Sequence, residues 1–316
     1  MPSSAASPAD PPEGRYPPLI VICGPTATGK TRLSLALAER LPGAEIISAD
    51  SRQVYRGMDI GTAKVTPAER AGVAHHGLDL VEPDERFTAA DFQGHAGDAL
   101  AAIHARGGVA LLVGGTGLYV RAVARRVPLE ATGHDPQVRA DVEQRLVGEG
   151  LHVLVAELRS RAPTVAARTD LANPRRVTRA LERAHVAGDR PPPAALGYPA
   201  PVAWLGLDAD VATNDAWINE RARSQFEGGL LEEAAALLRR YPPGLPAFSA
   251  MGYREAFAVL DGSLTLEAAM DATARRTRRF ARRQRSWFRA EAEVEWLDAM
   301  AHPLPRALER AQALLG

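Results

Sequence analysis

One stretch near the amino terminus, residues 19–31, reads Leu19-Ile20-Val21-Ile22-Cys23-Gly24-Pro25-Thr26-Ala27-Thr28-Gly29-Lys30-Thr31. Its first five residues are all apolar, as expected of a central parallel strand that is buried on both faces. The last eight match the pattern G-x-x-x-x-G-K-[ST], in which a glycine-rich loop wraps backbone N–H groups around a phosphate. Apolar residues then recur at helical spacing until Pro42-Gly43. This stretch decides the fold, because it predicts a strand, a phosphate-binding loop and a helix in succession.

The loop predicts a binding site for a phosphate or diphosphate group. Lys30 supplies a point positive charge, and the following helix contributes its positive N-terminal end. The hydroxyl of Thr31 is the expected ligand of Mg²⁺. Only two of the 38 basic residues are lysines, at positions 30 and 64, which favours sites that need a compact ammonium group. The predicted phosphate-binding residues are Gly24, Pro25, Thr26, Ala27, Thr28, Gly29, Lys30 and Thr31.

The composition is that of a folded globular chain. Apolar residues make up 46% of the 316 residues and charged residues 24%. No apolar run approaches the roughly 20 residues that a membrane-spanning helix needs. The single cysteine, Cys23, excludes an internal disulfide or a cysteine-based zinc site, and its place in a buried strand favours a core role. We expect a cytoplasmic monomer with no membrane span.

Further apolar runs at Ile46-Ile47, Val109–Val113 and Val202–Leu207 alternate with helical stretches. This alternation predicts an α/β fold, with a parallel sheet of about five strands covered by helices. Strand patterns disappear between Asp135 and Gly188. Asp135-Pro136 and Asn173-Pro174 instead have the form of helix starts, with a capping side chain before proline. We predict a disordered tail at 1–18, a P-loop NTPase-like α/β core with C-terminal helices at 19–125 and 198–316, and an inserted all-helical subdomain at 126–197.

Acidic residues at the ends of strands are candidates for catalysis. P-loop hydrolases and kinases usually carry such an acid to order Mg²⁺, but the strand Val109–Val113 ends in Gly114-Gly115-Thr116. Asp50 follows the Ile46-Ile47 strand, at the edge where open α/β sheets bind ligands. Its carboxylate is a candidate base or metal ligand, and the alternative is an ordinary cap or turn residue.

The C-terminal part of the sequence contains a strongly basic segment. Eight arginines lie between Arg275 and Arg289 with no acidic residue among them, although the whole chain has zero net charge. On a helix they occupy one half of the surface, opposite a half that includes Gln284 and Trp287. Since the run holds no acids to pair with, it predicts binding to a polyanion, with RNA the leading candidate. A second line at 175, 179 and 183 is either a further RNA contact or an ordinary surface.

Several motifs in order make the chain resemble the tRNA dimethylallyltransferase family, also called tRNA isopentenyltransferases. Together they run from about residue 19 to residue 297. The motifs are Gly24–Thr31, Ser48-Ala49-Asp50-Ser51-Arg52-Gln53-Val54-Tyr55, Gly57-Met58-Asp59-Ile60-Gly61-Thr62-Ala63-Lys64, Gly114–Tyr119, Asn173-Pro174-Arg175-Arg176-Val177, Met251-Gly252-Tyr253 and Arg282-Arg283-Gln284-Arg285-Ser286-Trp287-Phe288-Arg289.

The resemblance implies a reaction and its residues. The loop would bind the diphosphate of dimethylallyl diphosphate, with Mg²⁺ on Thr31, and the dimethylallyl group would pass to N6 of the adenosine 3′ of the anticodon in tRNA. Asp50 matches the family's proposed base, which helps a weak amine nucleophile by removing its proton. The implied catalytic residues are Asp50, Lys30, Thr31 and Thr116. The implied tRNA contacts are Asp50, Ser51, Arg52, Gln53, Thr116, Arg175, Arg176, Arg179, Arg282, Arg283 and Arg285.

The chain departs from the family pattern at one position, and other classes of function stay open. The usual diphosphate-binding arginine is replaced by Trp217, and Arg221, one turn further on the same helix face, is a candidate substitute. No cysteine follows position 23, so the zinc finger of eukaryotic members has no ligands and a bacterial-type enzyme is implied. The alternatives are an adenylate isopentenyltransferase, a P-loop nucleotide kinase or NTPase, and a non-enzymatic RNA-binding module.

Overall fold

The computed structural model describes residues 16–129 and 135–316. Within these ranges six strands form one parallel sheet. The strands are β1 (Leu19–Cys23), β2 (Ala44–Ser48), β3 (His75–His76), β4 (Val109–Val113), β5 (Val202–Asp208) and β6 (Glu295–Asp298). Their order across the sheet is β3-β2-β4-β1-β5-β6.

Helices surround this sheet and build a separate helical unit. Those of the sheet-containing unit are α1 (Lys30–Ala38), α2 (Ala89–Ala105), α3 (Gly117–Ala124), α8 (Val211–Gln225), α9 (Leu231–Leu238), α10 (Tyr253–Leu260), α11 (Leu266–Arg289) and α12 (Leu304–Leu315). Those of the helical unit are α4 (Pro136–Glu149), α5 (Leu151–Arg161), α6 (Pro163–Ala167) and α7 (Pro174–Ala187). None of the helices in the described ranges is both long and apolar enough to cross a bilayer.

Strand β1 lies inside the sheet, between β4 and β5. All five of its residues are fully buried. Leu19, Val21 and Cys23 face one hydrophobic cluster, whereas Ile20 and Ile22 face the other, because successive side chains of a strand point to opposite faces. The predicted central strand is therefore confirmed, and it delivers the glycine-rich loop to the carboxyl edge of the sheet.

The prediction of about five strands missed the short strands at the two edges of the sheet. Strand β3 consists of His75 and His76, and β6 contains Glu295 and Asp298. Edge strands have one unpaired side and one exposed face, so their sequences need not be continuously apolar. Apolar runs therefore predict the central strands but not these edge strands.

The predicted tail at 1–18 is wrong for residues 16–18, and residues 1–15 lie outside the described ranges. The ring of Tyr16 packs edge-on against Tyr198, with 5.3 Å between ring centroids. The Tyr198 hydroxyl donates to the carbonyl of Pro17, and the Ala110 N–H donates to the carbonyl of Pro18. The proline-rich composition predicted disorder, but the carbonyl groups of this segment accept hydrogen bonds from the sheet-containing unit and keep it ordered.

Residues 126–197 form a compact unit of their own. Its four helices enclose a separate apolar core that includes Val142, Leu158 and Leu181. The carboxylate of Asp135 and the side-chain oxygen of Asn173 accept backbone N–H groups in the first turns of α4 and α7. Both predicted helix starts are confirmed, and with them the predicted helical insertion in an α/β fold.

Candidate active site

The glycine-rich loop passes very close to the neighbouring strand. Gly24 has a φ of 127°, and a Cβ placed there would lie 2.2 Å from the carbonyl oxygen of Leu207 in β5. Gly29, at the start of α1, has a φ of 85°. Only glycine meets both requirements at position 24, which are the close approach and the left-handed conformation. The backbone thus forms the curled loop that the sequence predicted.

The ammonium group of Lys30 sits over the loop. Its Nζ donates to the carbonyl oxygens of Gly24 at 3.0 Å and Pro25 at 2.6 Å. Burial and, to a smaller extent, the charge of Arg221 lower the pKa of Lys30 to about 8, whereas the charge of Asp50 opposes this change. A partly buried ammonium beside a second cation favours an anionic ligand, because such a ligand supplies additional counter-charge.

Arg221 is the second cation at the loop. Its Nη1 donates to the Thr26 hydroxyl at 3.1 Å, and burial lowers its pKa. Trp217, one turn earlier on α8, instead packs against apolar residues and lines a neighbouring cavity with Met300 and Leu304. The structure therefore places the guanidinium of Arg221 at the phosphate loop. Trp217, at the position of the family's usual arginine, provides no positive charge.

Asp50 and Thr116 meet where β2 and β4 end side by side. The Ala49 N–H donates to Val113 O at 2.7 Å, and the Thr116 N–H donates back to Ala49 O at 3.2 Å. The Thr116 hydroxyl accepts the N–H of Ser51 at 3.1 Å. One carboxylate oxygen of Asp50 accepts the N–H of the residue two positions later, at 2.8 Å. This pairing holds the Asp50 turn against the loop that carries Thr116.

A cavity of about 1180 Å³ lies at this edge of the sheet, and its lining includes Lys30, Thr31, Asp50 and Arg221. Thr116 is not among its lining residues, although Gly115 is. The volume of the cavity is somewhat larger than the usual range for small-molecule sites, about 300–1,000 Å³. The cavity combines two partly buried cations with a carboxylate, which are groups suited to binding a diphosphate and accepting a proton.

One wall of this cavity is a loop, residues 57–64, that is held by groups the sequence analysis missed. The carboxylate of Glu233 accepts the N–H groups of Asp59, Ile60 and Gly61 at 2.9, 2.7 and 3.1 Å. It also accepts the hydroxyl of Tyr253 at 2.7 Å. No sequence pattern links Glu233 to a loop more than 170 positions away, so only the folded chain reveals this anchor.

Two predicted residues also hold this wall. The Gln53 amide donates to the carbonyls of Thr62 and Ala63, and its oxygen accepts the Ser48 hydroxyl. The buried Nζ of Lys64 donates to Tyr55 O, Asp59 and Asp79, so each of its three protons has an acceptor. The second lysine thus occupies a structural site that suits a compact ammonium group. The assignment of Gln53 to tRNA stays a prediction.

The arginine run of α11 contains no acids, as the sequence shows, but acids from β5, α8 and α10 pair with five of its eight arginines. The pairs are Arg276–Glu255, Arg278–Asp215, Arg282–Asp215, Arg285–Asp208 and Arg289–Asp208. The sequence hides these partners because they lie on other elements. Only Arg275, Arg279 and Arg283 make no ion pair within the described part of the chain.

Arg285 forms the most extensive of these pairs. Its guanidinium donates to Asp208 at 2.7–3.0 Å, and the Asp208 side chain is only 11% exposed. Burial would raise the pKa of Asp208, but hydrogen bonds from Arg285 and Arg289 outweigh this effect and lower it. The assignment of Arg285 to tRNA stays a prediction, and its pair with Asp208 argues against it.

The second arginine line on α7, which comprises Arg175, Arg179 and Arg183, is only partly exposed, because Arg179 and Arg183 are half-buried. Arg179 contacts the fully buried carboxylate of Glu182 at 2.7 Å. Arg176, next to this line, is exposed and lies 3.5 Å from Asp170. The arginines of α7 therefore do not form a uniform basic surface, and the assignment of Arg175, Arg176 and Arg179 to tRNA stays a prediction.

The residues at the loop fit a Mg²⁺ ion that is held together with a diphosphate. In residues 16–129 and 135–316, no cluster of three His, Cys, Asp or Glu side chains could hold a metal by itself. The exposed Thr31 hydroxyl lines the cavity and makes no hydrogen bond to the described residues. Mg²⁺ commonly takes one or two protein oxygens, waters and substrate phosphates. A lone hydroxyl with Asp50 nearby suits that arrangement.

The strand, loop and helix at the carboxyl edge of a parallel sheet define a P-loop-type α/β protein. Two family models match the chain: IPP transferase over residues 53–291, and isopentenyl transferase over residues 17–83. The chain therefore belongs to the IPP transferase family, whose members are prenyltransferases. This confirms the resemblance stated from the motifs.

Named relatives and solved structures agree with this membership. The tRNA dimethylallyltransferase of Symbiobacterium thermophilum is 45% identical over 298 residues, 93% of this chain and 92% of the relative. That of Anaeromyxobacter dehalogenans is 48% identical over 300 residues, 92% and 99% of the two chains. The full-length tRNA isopentenylpyrophosphate transferase from Bacillus halodurans has a TM-score of 0.70 at 40% identity, over 94% of this chain and 95% of that one.

A eukaryotic dimethylallyltransferase acting on tRNA has a TM-score of 0.78 at 26% identity, over 94% of this chain and 78% of that one. The solved relatives have a P-loop NTPase-like fold, so the predicted fold class is confirmed.

Proposed function

We propose that this protein transfers the dimethylallyl group of dimethylallyl diphosphate to N6 of the adenosine 3′ of the anticodon in tRNA, releasing pyrophosphate. The observation that supports this proposal most strongly is that Lys30 and Arg221, at the phosphate loop, line the same cavity as Asp50. Because the acceptor is tRNA, the proposal also places the protein in the cytoplasm. The monomeric state stays a prediction.

The proposed chemistry forms one bond and breaks another. The adenine N6 lone pair forms the bond to the allylic carbon while the bond from that carbon to the diphosphate oxygen breaks. The amine loses a proton, which the carboxylate of Asp50 accepts. Lys30, Arg221 and the loop N–H groups stabilise the negative charge that grows on the departing pyrophosphate.

Mg²⁺, held by Thr31 and the diphosphate, would add further positive charge at the leaving group. Thr116, whose hydroxyl accepts the N–H of Ser51 next to Asp50, would keep the acceptor side in position. The target base must leave the anticodon-loop stack to reach this cavity, as in other enzymes that modify bases.

Family membership argues against the P-loop kinase or NTPase, because the IPP transferase model covers residues 53–291 and members of that family are prenyltransferases. The exposed arginines of α11 likewise favour an RNA acceptor over a free nucleotide.

The decisive experiment incubates the protein with Mg²⁺ and unmodified tRNA, with either dimethylallyl diphosphate or ATP as the donor. A parallel reaction offers AMP as the acceptor. The RNA is digested and its nucleosides are analysed by mass spectrometry. We expect adenosine heavier by one dimethylallyl group, only with the prenyl donor and only on tRNA. Modified AMP, or ATP consumption without a mass shift, would establish one of the alternatives.

A further inference from the structure

Thr26, at the tip of the phosphate loop, is held at every one of its polar atoms. Its N–H donates to Gln284 Oε1 at 2.8 Å, and its carbonyl accepts from Asn214 Nδ2 at 3.0 Å. Its hydroxyl accepts from Arg221. Gln284 is 5% exposed and Asn214 is 1% exposed. The loop tip is therefore fixed by buried side chains of α8 and α11, and not by its own turn alone.

The other end of the Gln284 amide holds a second loop. Its Nε2 donates to the carbonyl oxygen of Gly115 at 2.9 Å. Because the Thr26 N–H can only donate and the Gly115 carbonyl can only accept, these partners determine the orientation of the amide. A Cβ on Gly115 would lie 2.0 Å from Nε2, so the contact also requires glycine there.

Gly115 precedes Thr116, whose hydroxyl accepts the N–H of Ser51 beside Asp50. One buried amide thus joins the loop that would hold the leaving group to the loop that supports the acceptor and the base. We propose that Gln284 is a positioning residue for the transfer: it sets the separation between the diphosphate loop and the loop that carries Gly115 and Thr116. The proposal rests on the proposed prenyl transfer.

The spacing matters because the reaction needs the amine nitrogen within about 3–3.5 Å of the allylic carbon, and a displacement of about 1 Å can cost roughly 10²-fold in rate. Gln284 touches neither reacting group in this scheme. Its loss should therefore reduce kcat, while each substrate still binds to its own loop.

The test compares Gln284→Met and Gln284→Glu with a matched control, Gln312→Met, at an exposed position of α12. Gln284→Met removes both hydrogen bonds at similar volume. We expect kcat for tRNA prenylation to fall about 10²-fold. The KM values for dimethylallyl diphosphate and tRNA should stay within about threefold, and the control should match the wild type.

Gln284→Glu keeps the acceptor for the Thr26 N–H but sets an oxygen against the Gly115 carbonyl. A protonated glutamic acid would restore the donor. The activity of this variant, relative to the wild type at the same pH, should therefore rise as the pH falls. A flat ratio would count against the role of the Gly115 contact.

A double-mutant cycle with Thr116→Val separates positioning from general stability. We expect Gln284→Met to cost several-fold less in the Thr116→Val background, because both residues act through the same loop. Independent effects, a change in KM alone, or a loss in proportion to the folded fraction by circular dichroism would overturn the proposal. If the wild type prenylates tRNA and Gln284→Met matches it, only the positioning role fails. If the wild type does not prenylate tRNA, the proposed function fails first.

Discussion

The phosphate loop and helix α11 are both recognisable in the sequence, but they differ in what determines their role. The loop works through backbone groups within eight consecutive residues, so its function follows from Gly24–Thr31 directly. In α11 the role of each arginine depends on acids far away in the chain. Arg289 and its partner Asp208, for example, are 81 positions apart.

This difference shows that the residues of a run of like charges must be separated into those that form ion pairs within the protein and those that do not. Only then can a function be assigned to the run. Arg276 and Arg285 belong to the internal structure, because their acidic partners are buried. Arg275, Arg279 and Arg283 lie at successive turns of the same helix and remain available for an external polyanion. A single stripe on α11 therefore contains arginines that stabilise the fold and arginines that stay candidates for tRNA binding.

The largest expected effect is on the loop. Lys30→Met should lower kcat/KM for dimethylallyl diphosphate about 10³-fold, because it removes the ammonium group that would stabilise the leaving group. It should not lower stability, since burial already disfavours the charged form of Lys30. Steady-state kinetics and thermal melting measure both.

Lys64→Met is the matched control, because the two lysines differ in their partners. It should lower the melting temperature, since it leaves the carboxylates of Asp59 and Asp79 without their shared cation. If Lys30→Met kept kcat/KM within threefold of the wild type, the assigned role of the loop would be wrong.

Arg221→Met should raise the KM for dimethylallyl diphosphate or lower turnover, together about 10²-fold in kcat/KM. The reason is that Arg221 contacts the loop tip and supplies the positive charge that Trp217 lacks. Arg223→Met, at an exposed position of the same helix, is the control. Unchanged KM and turnover in Arg221→Met would show that Trp217 is not compensated in this way.

On α11, Arg285→Met should lower the free energy of unfolding by about 2 kcal/mol, because it leaves the largely buried Asp208 with one cation instead of two. Urea denaturation measures this change. Arg279→Met, on the exposed part of the same helix, should stay within about 0.5 kcal/mol of the wild type. If the two variants lowered the free energy of unfolding equally, the proposed difference between paired and unpaired arginines would be wrong.

The unpaired set should affect tRNA binding and not stability. Replacing Arg275, Arg279 and Arg283 together by Gln should weaken tRNA binding about tenfold at moderate salt. It should also make the dependence of log K on log salt less steep by up to about 2–3, as expected when phosphate contacts are lost. Filter binding across a salt series measures both, and an unchanged slope would exclude these residues from the interface.

The smallest effect concerns acid stability. The pKa of Asp208 is lower in the folded protein than its ordinary value, so its stabilisation is present above about pH 4 and is lost as the pH falls through the folded pKa. Between pH 5 and pH 3 the wild type should lose about 1 kcal/mol more stability than Asp208→Asn, after allowance for partial exposure. Denaturation curves at each pH test this, and parallel losses in both proteins would contradict it.

Local patterns predicted much of the fold and part of the site. The apolar run of β1, the glycine-rich loop and the Asp135 and Asn173 helix caps each depend on residues that are neighbours in sequence. Gln284 carried a weak signal, because it is a lone amide on the apolar half of α11. Glu233 carried none, since its three N–H partners come from a loop that no pattern connects to it.

The sequence by itself determined that this chain builds a parallel sheet, a phosphate loop and a helical insertion, because those features arise from short-range periodicity and backbone conformation. The tertiary structure alone decided which arginines are exposed, that Arg221 reaches Thr26, and that Gln284 joins two loops. Those outcomes depend on side chains of distant elements that lie within hydrogen-bond distance of each other. The packing of the elements determines these contacts, and the spacing of the residues in the sequence does not.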